Sequence, residues 1–140
     1  MRSVADERDC GCDRESEVIL DVVFDRGLFF LVVANIGDRP ALAVRIRFRR
    51  AFSGLGGTRK MHTLALFERL EFLAPRKSIE VFLDRSASYF AREEPTILTA
   101  TIAWRTGAGE ERKSSVDHDL EIYRDLAYIE REVPTRAAPT

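Results

Sequence analysis

From Val18 onward apolar and polar positions alternate with a period of two, and turn-forming residues interrupt the alternation about every ten residues. Successive side chains leave a strand on opposite faces, so this pattern marks short, half-buried strands. Val18, Leu20, Val22 and Phe24 make the first apolar file, and Asp25-Arg26-Gly27 supplies a tight reversal into Leu28–Ala34, which predicts a hairpin. Asn35 to Pro40 is rich in turn formers, and Pro40 lacks the backbone donor that a central strand uses, so the second strand ends there. In the third strand Val44, Ile46 and Phe48 take one face, and Arg45, Arg47 and Arg49 take the other.

Farther along, Ser53-Gly54-Leu55-Gly56-Gly57-Thr58 reads as a flexible loop. The stretch Thr63 to Phe72 fits a strand or a short helix and is assigned to a strand. Leu73 to Ser78 breaks the chain before Ile79, Val81 and Leu83, which alternate with Glu80, Phe82 and Asp84. Arg85 to Glu94 is irregular, with room for one helical turn. Leu98, Ala100, Ile102 and Trp104 then form the clearest core strand; Thr106 to Gly109 makes a hairpin turn, and Val116, His118, Leu120 and Ile122 alternate with Asp117, Asp119, Glu121 and Tyr123. Connections this short leave no space for crossover helices, so pairing is antiparallel. The expected fold is all-β, an immunoglobulin-like antiparallel β-sandwich of about seven strands.

The flanks differ in composition. Residues 1–17 are acidic and nearly free of apolar side chains, which predicts a mobile arm. Residues 18–133 form the sandwich with a C-terminal lid or docking segment carrying Tyr123, Leu126, Tyr128 and Ile129, and residues 134–140 form a mobile tail. A chain of 140 residues, 45% apolar and 32% charged, suits one domain, burying about 68% of its unfolded surface without crosslinks. No apolar run reaches the ~18 residues of a membrane span, and Met1 to Cys10 lacks the apolar stretch of a secretory signal; a cytoplasmic location is expected. A pI near 6.2 and a net charge of -1 argue against nucleic acid as a partner.

Two stretches resemble bacterial immunoglobulin-like β-sandwich domains of the CARDB-like type. Val32-Val33-Ala34-Asn35-Ile36-Gly37, followed by Ala41 and Val44, is similar to that group's apolar run, Asn-x-Gly, Ala and Val. Leu73-Ala74-Pro75-Arg76-Lys77-Ser78-Ile79 resembles its Leu-x-Pro-Gly-x-Ser turn, with Arg76 standing where the group usually has glycine. The resemblance covers roughly Val18 to Tyr123 and implies a binding or spacing role, because the group shares no active site.

Candidate chemistry is sparse. Cys10-Gly11-Cys12 holds both cysteines and supplies half of a tetrahedral zinc site, which needs four ligands; the histidines are His62 and His118. Asp9 and Asp13 raise the thiol pKa and disfavour thiolate. A metal- or redox-responsive accessory protein using Cys10 and Cys12 is therefore the second functional reading. His118, on an apolar face, reads as a core histidine with one satisfied hydrogen bond. No nucleophile elbow, HExxH or phosphate-loop spacing occurs, so no catalytic residue and no cofactor is assigned. Ser53 to Lys60 is only superficially similar to a phosphate cradle. Asp117, Asp119 and Glu121 lie about 7 Å from neighbour to neighbour on one strand face, which suits a solvated acidic face rather than a metal site.

The distribution of charge says more. Arg39, Arg45, Arg47, Arg49, Arg50, Arg59 and Lys60 give Arg39–Lys60 a local charge of +7, whereas Asp117–Glu132 carries -4. Immunoglobulin-type order makes the third, sixth and seventh strands neighbours. That order sets an arginine row, a threonine row (Thr99, Thr101) and a carboxylate row side by side on one outer face. Either the rows satisfy each other, at a few tenths to about 1 kcal/mol per pair, or the face docks a partner. Arg outnumbers Lys 19 to 3, and its planar fork suits bidentate contacts to carboxylates. The chain is expected to be a non-enzymatic interaction or assembly module that binds a protein partner or its own copies through Arg45, Arg47, Arg49, Tyr123 and Tyr128.

Overall fold

The computed structural model describes residues 15–126, in which the alternation becomes two antiparallel sheets packed face to face. The strands are β1 (Val18–Asp25), β2 (Leu28–Asn35), β3 (Ala41–Phe48), β4 (Ser53–Gly54), β5 (Arg59–Lys60), β6 (Leu70–Leu73), β7 (Ser78–Arg85), β8 (Ile97–Arg105) and β9 (Glu111–Asp119). One sheet has the order β1-β2-β7 and the other β6-β3-β8-β9, while β4 and β5 form a separate ribbon. The expected all-β sandwich is the observed fold. Relative to the constant-type immunoglobulin division, the fourth long strand, β6, joins the sheet of β3, β8 and β9. No helix of the described residues is long and apolar enough to cross a membrane.

Inward files from both sheets fill the interior, as the period of two requires. Val18, Leu20, Val22, Phe29, Leu31 and Val33 face Val44, Ile46, Leu98, Ala100, Ile102 and Trp104, all buried. The hairpin at Asp25-Arg26-Gly27 closes through two left-handed residues, Arg26 (φ 54) and Gly27 (φ 79), with Asp25 opposite Leu28. Two successive positive φ values match the twist of the strands they join. His118 Nε2 donates to the Leu20 carbonyl at 2.7 Å, tying β9 to β1 across the two sheets.

Asn35 explains the Asn-x-Gly stretch physically. It is 1% exposed and satisfies all of its amide: Oδ1 accepts from the Glu17 and Gly37 N–H groups, and Nδ2 donates to the Arg39 and Leu73 carbonyls. Gly37 is required there because a Cβ would lie 2.0 Å from the Glu15 carbonyl oxygen. Ser16 and Glu17, assigned by composition to the acidic arm, are therefore anchored to this turn, with Ser16 5% exposed. In the second turn Arg76 adopts φ 62, the left-handed conformation that glycine takes most easily, and its guanidinium contacts Asp38 at 2.6 and 2.9 Å.

Three expectations need correction. Ser53–Thr58 is not a flexible loop: it holds β4 and a 3-10 turn, and Gly54 packs so tightly that a Cβ would sit 2.2 Å from the Leu83 carbonyl oxygen. Thr63–Phe72 is not one strand. A 3-10 turn (Met61–Thr63), a one-turn helix (Ala65–Glu68) and β6 share it, since Leu64 to Phe72 has no β-branched residue and Ala, Leu and Glu favour helix. Lastly, β9 ends at Asp119; Leu120–Tyr123 is a 3-10 turn that buries Leu120 and leaves Ile122 62% exposed.

Candidate functional site

The arginine row stands where the alternation puts it, on the outer face of the four-stranded sheet. Arg45 pairs with Ala103, and Arg47 with Thr101, while the Arg49 N–H donates to the Thr99 carbonyl. On the far side of β8, Ala103, Thr101 and Thr99 pair with Lys113, Ser115 and Asp117. The register therefore corrects the expected apposition: β3, β8 and β9 are neighbours, but only Arg49 shares a row with a carboxylate, Asp117. Asp119 lies opposite Ile97, beyond the arginines, and Glu121 has left the strand for the 3-10 turn, where it pairs with Arg124. A bulge lies between Leu42 and Arg45, with Ala43 at φ 51.

The three arginines are not equivalent. Arg45 donates to Glu71 and to the Val44 carbonyl, each at 2.9 Å. Arg47 and Arg49 are exposed, and their side chains make no hydrogen bond or ion pair with any described residue. Their across-strand neighbours are small and neutral, so the centre of the face is flat and its edge cationic. Beside β3 lies a groove of about 490 Å³ lined by Arg45, Arg47, Phe48, His62, Phe67 and Glu68. It exists because β6 pairs with β3 only as far as Val44, after which the helix Ala65–Glu68 takes the chain aside. Phe67 anchors that helix against Phe48, with ring centroids 5.1 Å apart.

Tyr123, the other described candidate, is half-buried. Its ring stacks on Phe24 at 5.3 Å and meets the edge of Phe29 at 5.8 Å, packing against the core beside the β1–β2 hairpin. Arg124 beside it sits 4.2 Å above the Phe90 ring and holds the Glu121 carboxyl below its usual range. Tyr128, Cys10 and Cys12 lie outside the described residues. Among the described residues no group of three His, Cys, Asp or Glu side chains is placed to hold a metal. The His62 Nδ1 lies 3.3 Å from both the N–H and the carbonyl of Phe52.

The description Domain of unknown function (DUF8453) matches residues 13–124. The chain belongs to that family. No curated protein and no solved structure matches it. The family span covers every described strand of the DUF8453 domain, including the arginine row and the groove.

One charged cluster escaped the sequence reading. Between Phe29 and Phe30 the pairing of β2 with β7 shifts by one residue, so Leu83 and Asp84 are both buried. The Asp84 carboxylate then accepts from the Gly56 and Arg85 N–H groups and pairs with Arg92 at 2.8 Å. Arg92 also reaches Glu94 at 3.2 Å and the Ser53 carbonyl at 3.0 Å. The glycine loop thus turns an N–H inward to a carboxylate, which rules against a phosphate cradle. Strict alternation hid Asp84, because a bulge is invisible to a period of two. A signal for the groove was present: Ala65-Leu66-Phe67-Glu68 reads as helix on composition.

Proposed function

We propose that the chain is a non-enzymatic protein–protein interaction module that docks a partner through the outer face of the β6-β3-β8-β9 sheet. The observation that carries the reading is the pair Arg47 and Arg49, exposed and unpaired among the described residues beside the small, neutral Thr101 and Thr99. Two like charges about 7 Å apart on one strand face repel each other, and a carboxylate-bearing partner relieves that repulsion. Arginine is also the cation whose fork meets a carboxylate through two hydrogen bonds. The likeness to CARDB-like sandwich domains, with its Asn35 and Arg76 turns, supports a binding or spacing role over a reaction.

The test is charge reversal at Arg45 and Arg47. The wild-type chain and the doubly reversed chain (R45E with R47E) are each purified by affinity from the native host, and the co-purifying proteins are compared quantitatively. A partner held by wild type and lost by the variant is the expected result. An unchanged set of co-purifying proteins, with the variant folded by circular dichroism, overturns the reading.

A further inference from the structure

We infer that the open edge of β3 accepts an added strand, an extended segment of a partner protein in which carboxylate and apolar side chains alternate. The inference rests on the docking-face reading above and specifies its occupant.

The argument begins with the parity of the ladder. The Arg49 N–H donates to Thr99, and Arg47 and Arg45 follow at intervals of two along the same pairing with β8. In an antiparallel ladder the residues between such pairs direct their N–H and C=O groups to the other side. Those residues are Ile46 and Phe48, and the other side is the line of β6, whose pairing stops at Val44. Neither has a hydrogen bond on that side among the described residues. The groove of about 490 Å³ lies along this stretch, within the range of sites that hold small ligands or short segments. Ile46 is 3% exposed and Phe48 half-buried, so this unpaired edge is reached through the groove. An unpaired sheet edge beside pockets for alternate side chains is the geometry of strand addition.

Charge selects the sequence of the occupant. A strand added beside β3 places every second side chain on the outer face next to Arg45, Arg47 and Arg49, where carboxylates are favoured. The side chains between them point to the groove wall of Phe48 and Phe67, both packed on the core, where apolar groups are favoured. Glu68 on the helix wall and Glu71 on Arg45 are the carboxylates already present, and Glu71 leaves Arg47 uncompensated. A second copy of this chain offering its own β3 edge would bring arginine rows together, which disfavours that occupant.

The experiment uses the full chain with three probes: an eight-residue peptide alternating glutamate and valine, its lysine–valine counterpart, and the glutamate peptide N-methylated at every second residue. Binding is read by fluorescence anisotropy and amide hydrogen exchange by NMR. Expected are binding of the glutamate peptide alone, slowing of exchange at Ile46 and Phe48 by about tenfold or more, and a loss of about tenfold in affinity on Arg47→Glu. Equal binding of the lysine or the methylated peptide, or no binding of any, overturns the inference. So does protection of Ile46 and Phe48 before peptide is added, which would mean the edge is already filled. If the glutamate peptide binds and responds to Arg47→Glu while both amides stay unprotected, strand addition fails and the docking face of the previous section stands.

Discussion

Two arginine sites in this molecule use one side chain for contrary ends. Arg92 lies beneath the glycine loop, 22% exposed, and its guanidinium is shared among Asp84, Glu94, Ser88 and the Ser53 carbonyl. Arg47 stands on β3 with none of these. Burial without partners would cost the Arg92 charge several kcal/mol, so its surroundings are complete. Exposure costs Arg47 almost nothing, so the fold requires no partner for it. The difference teaches that charge taken into the interior must be closed into a network that holds the fold, while charge on the outer sheet face can stand unpaired at little cost.

That contrast breaks first at Asp84. Replacing it (Asp84→Ala) strips Arg92 of its most buried partner and leaves the Gly56 N–H unsatisfied, and chemical denaturation should show a loss of about 3–5 kcal/mol. A loss no greater than that of an exposed arginine would erase the distinction between the two regions.

Tyr89, beside the same cluster, sharpens it through pH. Its hydroxyl donates to the Pro95 carbonyl at 2.6 Å, and burial, then the Glu94 charge, pushes its pKa well above the usual tyrosine value. The neutral hydroxyl is thus favoured in the folded state, so its contribution is complete below the unfolded pKa of about 10 and drains away as pH rises above it. Tyr89→Phe should cost about 1 kcal/mol at neutral pH. Above pH ~10 the wild type should lose up to about 1.4 kcal/mol per pH unit that the variant keeps. Parallel pH profiles for the two proteins would exclude this account.

Arg76 is intermediate, exposed like Arg47 but paired like Arg92. Arg76→Ala keeps the left-handed backbone and loses the Asp38 contacts, so thermal or urea unfolding should register about 0.2–1 kcal/mol. Arg76→Gly should recover most of that by relieving the positive φ. A larger cost for glycine than for alanine would refute the strain argument.

Smallest of all is the effect of Arg47→Glu on stability. Removing a like charge from the middle of the row should leave unfolding within about 0.5 kcal/mol of wild type, on the stabilising side. Marked destabilisation would mean that Arg47 is part of the scaffold after all.

Much of the architecture was legible because strands announce their inner files locally. Leu98, Ala100, Ile102 and Trp104 are buried as the alternation requires, and Arg45, Arg47 and Arg49 point outward. Other features were masked by particular residues. Leu28 to Ala34 is apolar at every position, as befits a strand in the middle of its sheet, whose outer residues are half covered by their neighbours. Ala43 bends β3 in a left-handed conformation that alanine seldom takes, and nothing in the local pattern foretells it.

By itself the sequence determined the inner files of β1, β3 and β8, the turns at Asp25-Arg26-Gly27 and Asn35 to Pro40, and that one row of strand residues would be cationic, since these follow from a period of two and from the residues turns need. Only the tertiary structure decided which rows meet. The pairing of β3 with β8 and of β8 with β9 set Asp119 beyond the arginines, and the bulge in β7 carried Asp84 into the interior. The early end of β6 left the edge of Ile46 and Phe48 open. Register depends on pairing between strands far apart in the chain, and a single extra residue resets it without altering the composition from which the strands are read.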